Sequence, residues 1–146
     1  MTPPIVVRLD VPADILYLGI ITSSLNELIM AQPLAEPELT SHNIQLAVHE
    51  VCMNIIEHAY ADQPGGRIAL TLTVEPPSGA QARRLIVELR DTGAHSFDPA
   101  AIAAPDLDVP QVGGYGLFLV QQLMDEVQYD PQPNDHRWRL VKYLEN

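Results

Sequence analysis

The 146-residue sequence is poor in basic residues, with 8 lysines and arginines against 19 aspartates and glutamates, and its formal net charge is -11. A chain this acidic repels nucleic acid and anionic membrane surfaces, so general electrostatic binding to either is not expected. A positively charged protein partner is compatible with the same charge. The composition therefore points away from direct nucleic-acid binding.

Cysteines and long apolar runs are equally scarce. The single cysteine, Cys52, can form no internal disulfide, and its apolar surroundings predict a small buried core residue rather than a nucleophile. No apolar segment approaches the length of a membrane span, and residues 1–11 lack the basic start and apolar run of a signal peptide. A soluble cytoplasmic protein is expected.

The length and the apolar content predict one globular domain over residues 1–146. An apolar fraction of 47% and a charged fraction of 18% are typical of a folded chain, not of a disordered one. At this length the chain can bury one substantial core and is too short for two ordinary domains.

An apolar helix over Thr40–Tyr60 is the strongest local prediction. Thr40 or Ser41 can cap its first turn, and neither glycine nor proline interrupts it before Pro64. At about 100° per residue, one face collects six apolar residues, which are Ile44, Val48, Val51, Cys52, Ile55 and Ala59. Such a helix is expected to be largely buried.

Polar residues nevertheless share one arc of that helix. Glu50, Asn54, Glu57 and His58 fall within roughly 100° of each other on the helical wheel. One interpretation is a solvated stripe on a half-exposed helix. The other is a ligand cleft, in which Glu50 supplies a proton acceptor and Asn54 an oxygen ligand for a hard cation. The helix alone leaves both interpretations open.

The rest of the chain predicts an α+β two-layer sandwich, with one mixed, mainly antiparallel sheet and helices on one face. Residues 94–113 are predicted to be a mostly irregular loop with one short helix around residues 99–103. The other predicted elements, in chain order, are a strand at Ile5–Asp10, a helix over Pro12–Gln32, strands at Arg67–Val74 and Arg84–Arg90, a helix from Leu117 to about Glu126, and strands at Val127–Tyr129 and Trp138–Leu144.

Two glycine-containing stretches flank the predicted loop. Asp91-Thr92-Gly93 follows a strand, and Gly114-Tyr115-Gly116 precedes a helix, where free backbone amides favour phosphate. The better-known patterns fail: no glycine loop continues into Lys-Ser or Lys-Thr, Leu119 stands where the dinucleotide fingerprint needs glycine, and Met53 stands where a zinc-protease helix needs its second ligand.

The ordered set of signals resembles the nucleotide-binding boxes of the Bergerat-type ATPases, which include histidine kinases, DNA gyrase and mismatch-repair ATPases. Within that superfamily the chain looks most like the anti-sigma-factor serine-protein kinases. The segment HEVCMNIIEHAY is similar to their helix, DTGAHSFDP to their first glycine box and GGYGLFLVQQLMDEVQY to their second. The closing WRLVKYL is similar to their last strand, so the resemblance extends over roughly residues 5–144.

The resemblance implies binding of ATP and Mg²⁺ and assigns roles to the matching residues. Asp91 would accept from the adenine amino group beside Gly93, Asn54 would coordinate Mg²⁺, and Glu50 would be the general base on a serine hydroxyl. Residues 94–113 would form a lid. The remaining nucleotide-binding positions are His58 and the second glycine box, Gly113, Gly114, Tyr115, Gly116 and Leu117, in which Gly114 and Gly116 offer backbone amides to the phosphates.

The function implied is that of an ATP-dependent kinase that phosphorylates a small anti-anti-sigma protein and sequesters a sigma factor, with a homodimer as a further expectation. One alternative is a non-catalytic module that binds ATP and a protein partner. Another is an interaction domain without nucleotide. The chain departs from the family pattern at His95, where glycine is common, and at Asp135-His136, where Gly-Thr is common and the threonine helps to hold adenine.

Overall fold

The computed structural model describes residues 2–96 and 115–146, with Tyr115 described by its backbone alone. Five strands within these ranges form one sheet in the order β1-β2-β3-β5-β4. All four pairings are antiparallel, so these ranges contain no parallel pair of the expected mixed sheet. The strands are β1 (Ile5–Pro12), β2 (Arg67–Glu75), β3 (Arg83–Asp91), β4 (Glu126–Gln132) and β5 (Asp135–Leu144).

In the part of the chain that the structure describes, three helices cover one face of this sheet, and the predicted α+β two-layer fold is confirmed. They are α1 (Leu18–Met30), α2 (Pro37–Asn54) and α3 (Tyr115–Leu123). The helix predicted from Pro12 begins only at Leu18, after a short 3₁₀ turn at Ile15–Tyr17 in which the Leu16 amide donates to the Asp14 side chain. The short helix predicted around residues 99–103 and most of the predicted lid lie outside the described residues.

The core lies between the sheet and the helices, because the strands alternate between an apolar and a polar face. In β2 the side chains of Ile68, Leu70, Leu72 and Val74 are buried against the helix layer, and the residues between them face outwards. Complete burial of one such side chain stabilises the fold by about 1.5–3 kcal/mol. All six apolar residues predicted for the inner face of the central helix are buried, and burial raises the pKa of the Cys52 thiol to about 12.

The central helix differs from its prediction at both ends. It starts at Pro37 rather than Thr40, because proline fits the first helical turn, where the missing amide would have had no partner. Neither Thr40 nor Ser41 caps it; Ser41 is buried and donates to Asn26 of α1 instead. At its other end the regular helix stops at Asn54 and continues as one π-helical turn over Ile55–Ala59.

The last hairpin is longer than the pattern predicted. β4 continues to Gln132 and β5 begins at Asp135, so the turn contains only Pro133 and Asn134. Asn134 adopts a φ of 52°, a left-handed conformation that asparagine tolerates better than most residues. The longer β5 reaches the end of β3 and pairs His136 with Asp91.

No helix within residues 2–96 and 115–146 is long and apolar enough to cross a membrane.

Candidate functional site

Glu50 and Asn54 lie on the final turns of α2, and both side chains are half-buried. Their spacing of four residues places them on the same side of the helix. Glu57 and His58 follow on the π-turn and are exposed. The polar arc therefore divides into a half-buried pair, as a ligand cleft would have, and an exposed pair, as a solvated stripe would have.

The π-turn receives the segment that follows β3. A Cβ added at Gly93 would overlap the backbone carbonyl of Ala59, so only glycine fits this approach without a shift of main chain. The amide of His95 donates to the same carbonyl at 3.3 Å. π-turns inside helices often occur at functional sites, and this one sets where the residues after β3 meet α2.

Tyr60 holds this junction from the other side. Its hydroxyl donates to the carbonyl of Arg67 at 2.6 Å and accepts from the amide of Thr92 at 2.9 Å. The amide of Ala94 is in turn bound by the Gln63 side chain at 3.0 Å. The start of β2, the end of β3 and the end of the central helix are thereby tied together.

Asp91 is the buried carboxylate of the site. Its Oδ1 accepts from the amide of Gly93 at 3.0 Å and lies 2.7 Å from Nδ1 of His136. Only 2% of either Asp91 or His136 is exposed. Loss of solvation raises the pKa of Asp91, while the bonds from Gly93 and His136 and the nearby imidazole oppose that rise.

Glu50 lies against the start of α3. A Cβ at Gly116 would overlap the Glu50 carboxylate, and the neighbouring Leu117 is buried in the core. The structure therefore brings Gly116, near the end of the predicted second glycine box, to the predicted base. Gly113 and Gly114 lie outside the described residues, and Tyr115 contributes the first backbone position of α3.

The acidic and histidine side chains of the described residues do not form a cation cage. Within residues 2–96 and 115–146, no three His, Cys, Asp or Glu residues are grouped to hold a metal. Asn54 offers a half-buried amide oxygen beside Glu50. This donor set fits Mg²⁺ as enzymes usually bind it, with one or two protein ligands and with phosphate oxygens and water in the remaining coordination positions.

A cleft of about 430 Å³ also lies on the outer face of the sheet, lined by residues such as Glu88, Arg90 and Arg139. Asp91 and His136 alternate with these residues and face the helices instead. The outer cleft is therefore separate from the candidate site.

Three features of the site could not be identified from the sequence. The π-turn leaves no periodic signature, and the role of Tyr60 depends on hydrogen bonds to Arg67 and Thr92, which lie 7 and 32 positions further along the chain. His136 was noted only as a departure from the family pattern. Its contact with Asp91 depends on the register of β3 and β5, which a single sequence does not display.

Known proteins match most of the length of this chain. The family model described as "Histidine kinase-like ATPase domain" matches residues 11–142. The serine-protein kinase RsbW of Bacillus subtilis is 31% identical over 130 residues, which cover 84% of this chain and 76% of the relative. RsbW of Bacillus velezensis is 29% identical over 130 residues with the same coverage.

These matches show the class of this protein, which is a kinase-type ATPase with a histidine-kinase-like fold. The chain belongs to the histidine kinase-like ATPase family, in its anti-sigma-factor serine-protein kinase branch.

A solved structure has the same fold. The RsbU and RsbW domains of a Mycobacterium tuberculosis protein superpose with a TM-score of 0.62 at 17% identity, covering 98% of this chain. The match takes in only 33% of that longer chain, so this protein corresponds to about a third of it.

Proposed function

We propose that the protein is an ATP-dependent serine-protein kinase and anti-sigma factor. In this proposal it phosphorylates a small anti-anti-sigma protein and sequesters a sigma factor. The observation that carries the proposal is the order of features along the central helix. Gly116 lies against Glu50, Asn54 follows one turn later, and Gly93 lies against Ala59 at the end. Glu50 and Ala59 are separated by roughly 13 Å of helix. A nucleotide lying along this helix would meet a phosphate end, a metal ligand and a base end in that order.

The base end of the proposed site is formed by Asp91 and Gly93. Asp91 would accept from the 6-amino group of adenine, and the absence of a side chain at Gly93 leaves the segment close to Ala59. His58, exposed on the π-turn, is retained among the nucleotide-contacting residues on the family resemblance alone.

The phosphate end is formed by α3 and the final turns of α2. Gly114 and Gly116, within the box that runs from Gly113 to Leu117, would donate backbone amides to the phosphates. Bound through Asn54, Mg²⁺ would neutralise phosphate charge. These assignments require positioning and charge neutralisation rather than covalent chemistry from the protein.

Glu50 would act on the protein substrate. As the serine oxygen bonds to the γ-phosphorus and the bond to the β–γ bridging oxygen breaks, the hydroxyl proton passes to the Glu50 carboxylate. ADP and a phosphoserine are the products. The contact between Glu50 and Gly116 supports this role, because it holds the base where the phosphate-binding helix begins.

Transfer is tested with ATP labelled at the γ-phosphate and a serine-bearing anti-anti-sigma protein, with the serine-to-alanine form of that partner as control. We expect label on the serine-bearing form alone. If ATP binds but no cognate partner is labelled, the kinase proposal fails and an ATP-binding regulatory module takes its place. If ATP does not bind, the kinase proposal and the regulatory-module alternative both fail.

Sequestration of a sigma factor is consistent with the charge of -11, which favours a protein partner over DNA. In a transcription assay with purified components, the protein should suppress sigma-dependent initiation, and the unphosphorylated anti-anti-sigma protein should restore it. Direct binding of the protein to promoter DNA in the same assay would contradict the proposal.

We also propose that two copies associate. Ile15 and Leu16 are 60% and 81% exposed, and Ile20 beside them is 49% exposed, which leaves an apolar surface at the start of α1. Light scattering should give twice the chain mass, and Leu16→Glu should reduce it. A monomer mass at all micromolar concentrations would reject the dimer.

A further inference from the structure

The pairing of Asp91 with His136 uses only one oxygen of the carboxylate. Both the Gly93 amide and His136 Nδ1 converge on Oδ1, at 3.0 Å and 2.7 Å. Within residues 2–96 and 115–146, no group donates to Oδ2. Asp91 thus has one oxygen held by two internal donors and a second oxygen that accepts from none of the described groups.

The protonation of Asp91 decides which tautomer of His136 fits the contact. An ionised carboxylate can only accept hydrogen bonds, so with Asp91 ionised the contact of 2.7 Å requires the hydrogen on Nδ1 of His136. The antiparallel register places these two residues opposite each other at the ends of β3 and β5. Rotation of the Asp91 carboxylate would break both internal bonds at once.

The contact between His136 and Asp91 opposes the effect of burial on the pKa of Asp91. Loss of solvation favours the protonated form of Asp91, in which one oxygen becomes a donor, whereas His136 and Gly93 favour the ionised form. Recognition of an amino group needs the ionised, accepting form.

We propose that His136 is a positioning residue for recognition of the nucleotide base: by donating to Oδ1, it keeps Asp91 oriented with Oδ2 as the acceptor for the 6-amino group. This inference depends on the proposed function, in which Asp91 binds adenine. A purely structural His136–Asp91 pair would instead affect all nucleotides equally.

The test compares ATP with purine riboside 5′-triphosphate, which lacks only the 6-amino group. The wild-type protein should bind ATP more tightly, and His136→Leu should reduce that preference by roughly ten- to a hundredfold, the range for a hydrogen bond to a charged group. Affinity for the purine analogue should stay unchanged. His136→Asn, which keeps an N–H donor near the position of Nδ1, should restore most of the preference. His42→Leu, at an exposed histidine of α2, is the matched control.

A second measurement needs no variant and no nucleotide. Nitrogen-15 spectra of the histidine rings in the free protein should show a proton on Nδ1 of His136, and an unprotonated Nδ1 would overturn the inference. It is also overturned if His136→Leu keeps the wild-type ratio of the two affinities, a result that leaves the ATP site intact. If the wild-type protein binds neither triphosphate, the proposed function fails, and the inference fails with it.

Discussion

The carboxylate of Glu50 lies directly against the Cα of Gly116, where even a methyl group would overlap it. The close approach at Gly93 differs in kind, because there an added Cβ would overlap the backbone carbonyl of Ala59. A side-chain carboxylate can swing away from an added methyl group, whereas a carbonyl at the end of a packed helix cannot.

The two glycines should therefore respond differently to alanine. Gly93→Ala should lower the free energy of unfolding by about 1–3 kcal/mol, since backbone must move to admit the Cβ. Gly116→Ala should change stability much less but displace Glu50 and slow phosphoryl transfer. Urea unfolding followed by the fluorescence of the single tryptophan, Trp138, measures the first effect. Equal losses of stability in the two variants would contradict this distinction.

Glu50→Gln tests the proposed base. The amide keeps the size of the side chain but cannot take the serine proton, so transfer to the partner should fall by about 10² to 10⁴. ATP affinity and partner binding should change little, because Glu50 is not assigned to ground-state binding. Glu57→Gln, on the exposed side of the π-turn, is the control. Near-normal transfer by Glu50→Gln would refute the assignment and leave the nucleotide site standing.

Asn54→Ala tests the proposed metal ligand. Removal of the amide oxygen should weaken binding of ATP in the presence of Mg²⁺ and leave metal-free binding almost unchanged. Calorimetry with and without EDTA measures both, and Asn43→Ala on the same helix serves as the control. If Asn54→Ala folds normally and retains Mg²⁺-dependent ATP affinity, the metal ligand lies elsewhere.

Asp91 should determine which base is bound. Guanine carries a carbonyl where adenine carries its amino group, so it would leave the buried carboxylate facing another acceptor. We expect GTP to bind roughly a hundredfold more weakly than ATP, and Asp91→Asn to lose ATP affinity by roughly ten- to a hundredfold. Asp62→Asn, at an exposed position whose φ of 58° asparagine tolerates, is the control. Equal calorimetric affinities for ATP and GTP would contradict the assignment.

The same residue should make stability depend on pH. Burial raises the pKa of Asp91, so the native state binds its proton more readily than the unfolded chain does. The contribution of this carboxylate to stability is then greatest below the ordinary aspartate pKa of about 3.9 and falls as the pH rises through the native pKa. Asp91→Asn has no charge to desolvate. The stability of the wild-type protein relative to Asp91→Asn should therefore decrease with rising pH, and a difference independent of pH would show that desolvation is not the dominant effect.

The sequence alone determined the fold class, most element positions and the family. Periods of two and of 3.6 residues are local properties, so the alternation of Ile68 to Val74 and the apolar face from Ile44 to Ala59 could be read directly. The family boxes around Asn54, Asp91 and Gly116 are likewise short and contiguous.

Only the tertiary structure decided how these boxes meet. The register of β3 and β5 opposes His136 to Asp91, and the π-turn that brings Ala59 to Gly93 replaces the regular helix that propensity predicted. Both are contacts between residues far apart in the chain, whose energies depend on packing and desolvation rather than on local sequence. His136, which looked from the sequence like a departure from the adenine-binding pattern, is in the structure the side chain that holds the buried carboxylate.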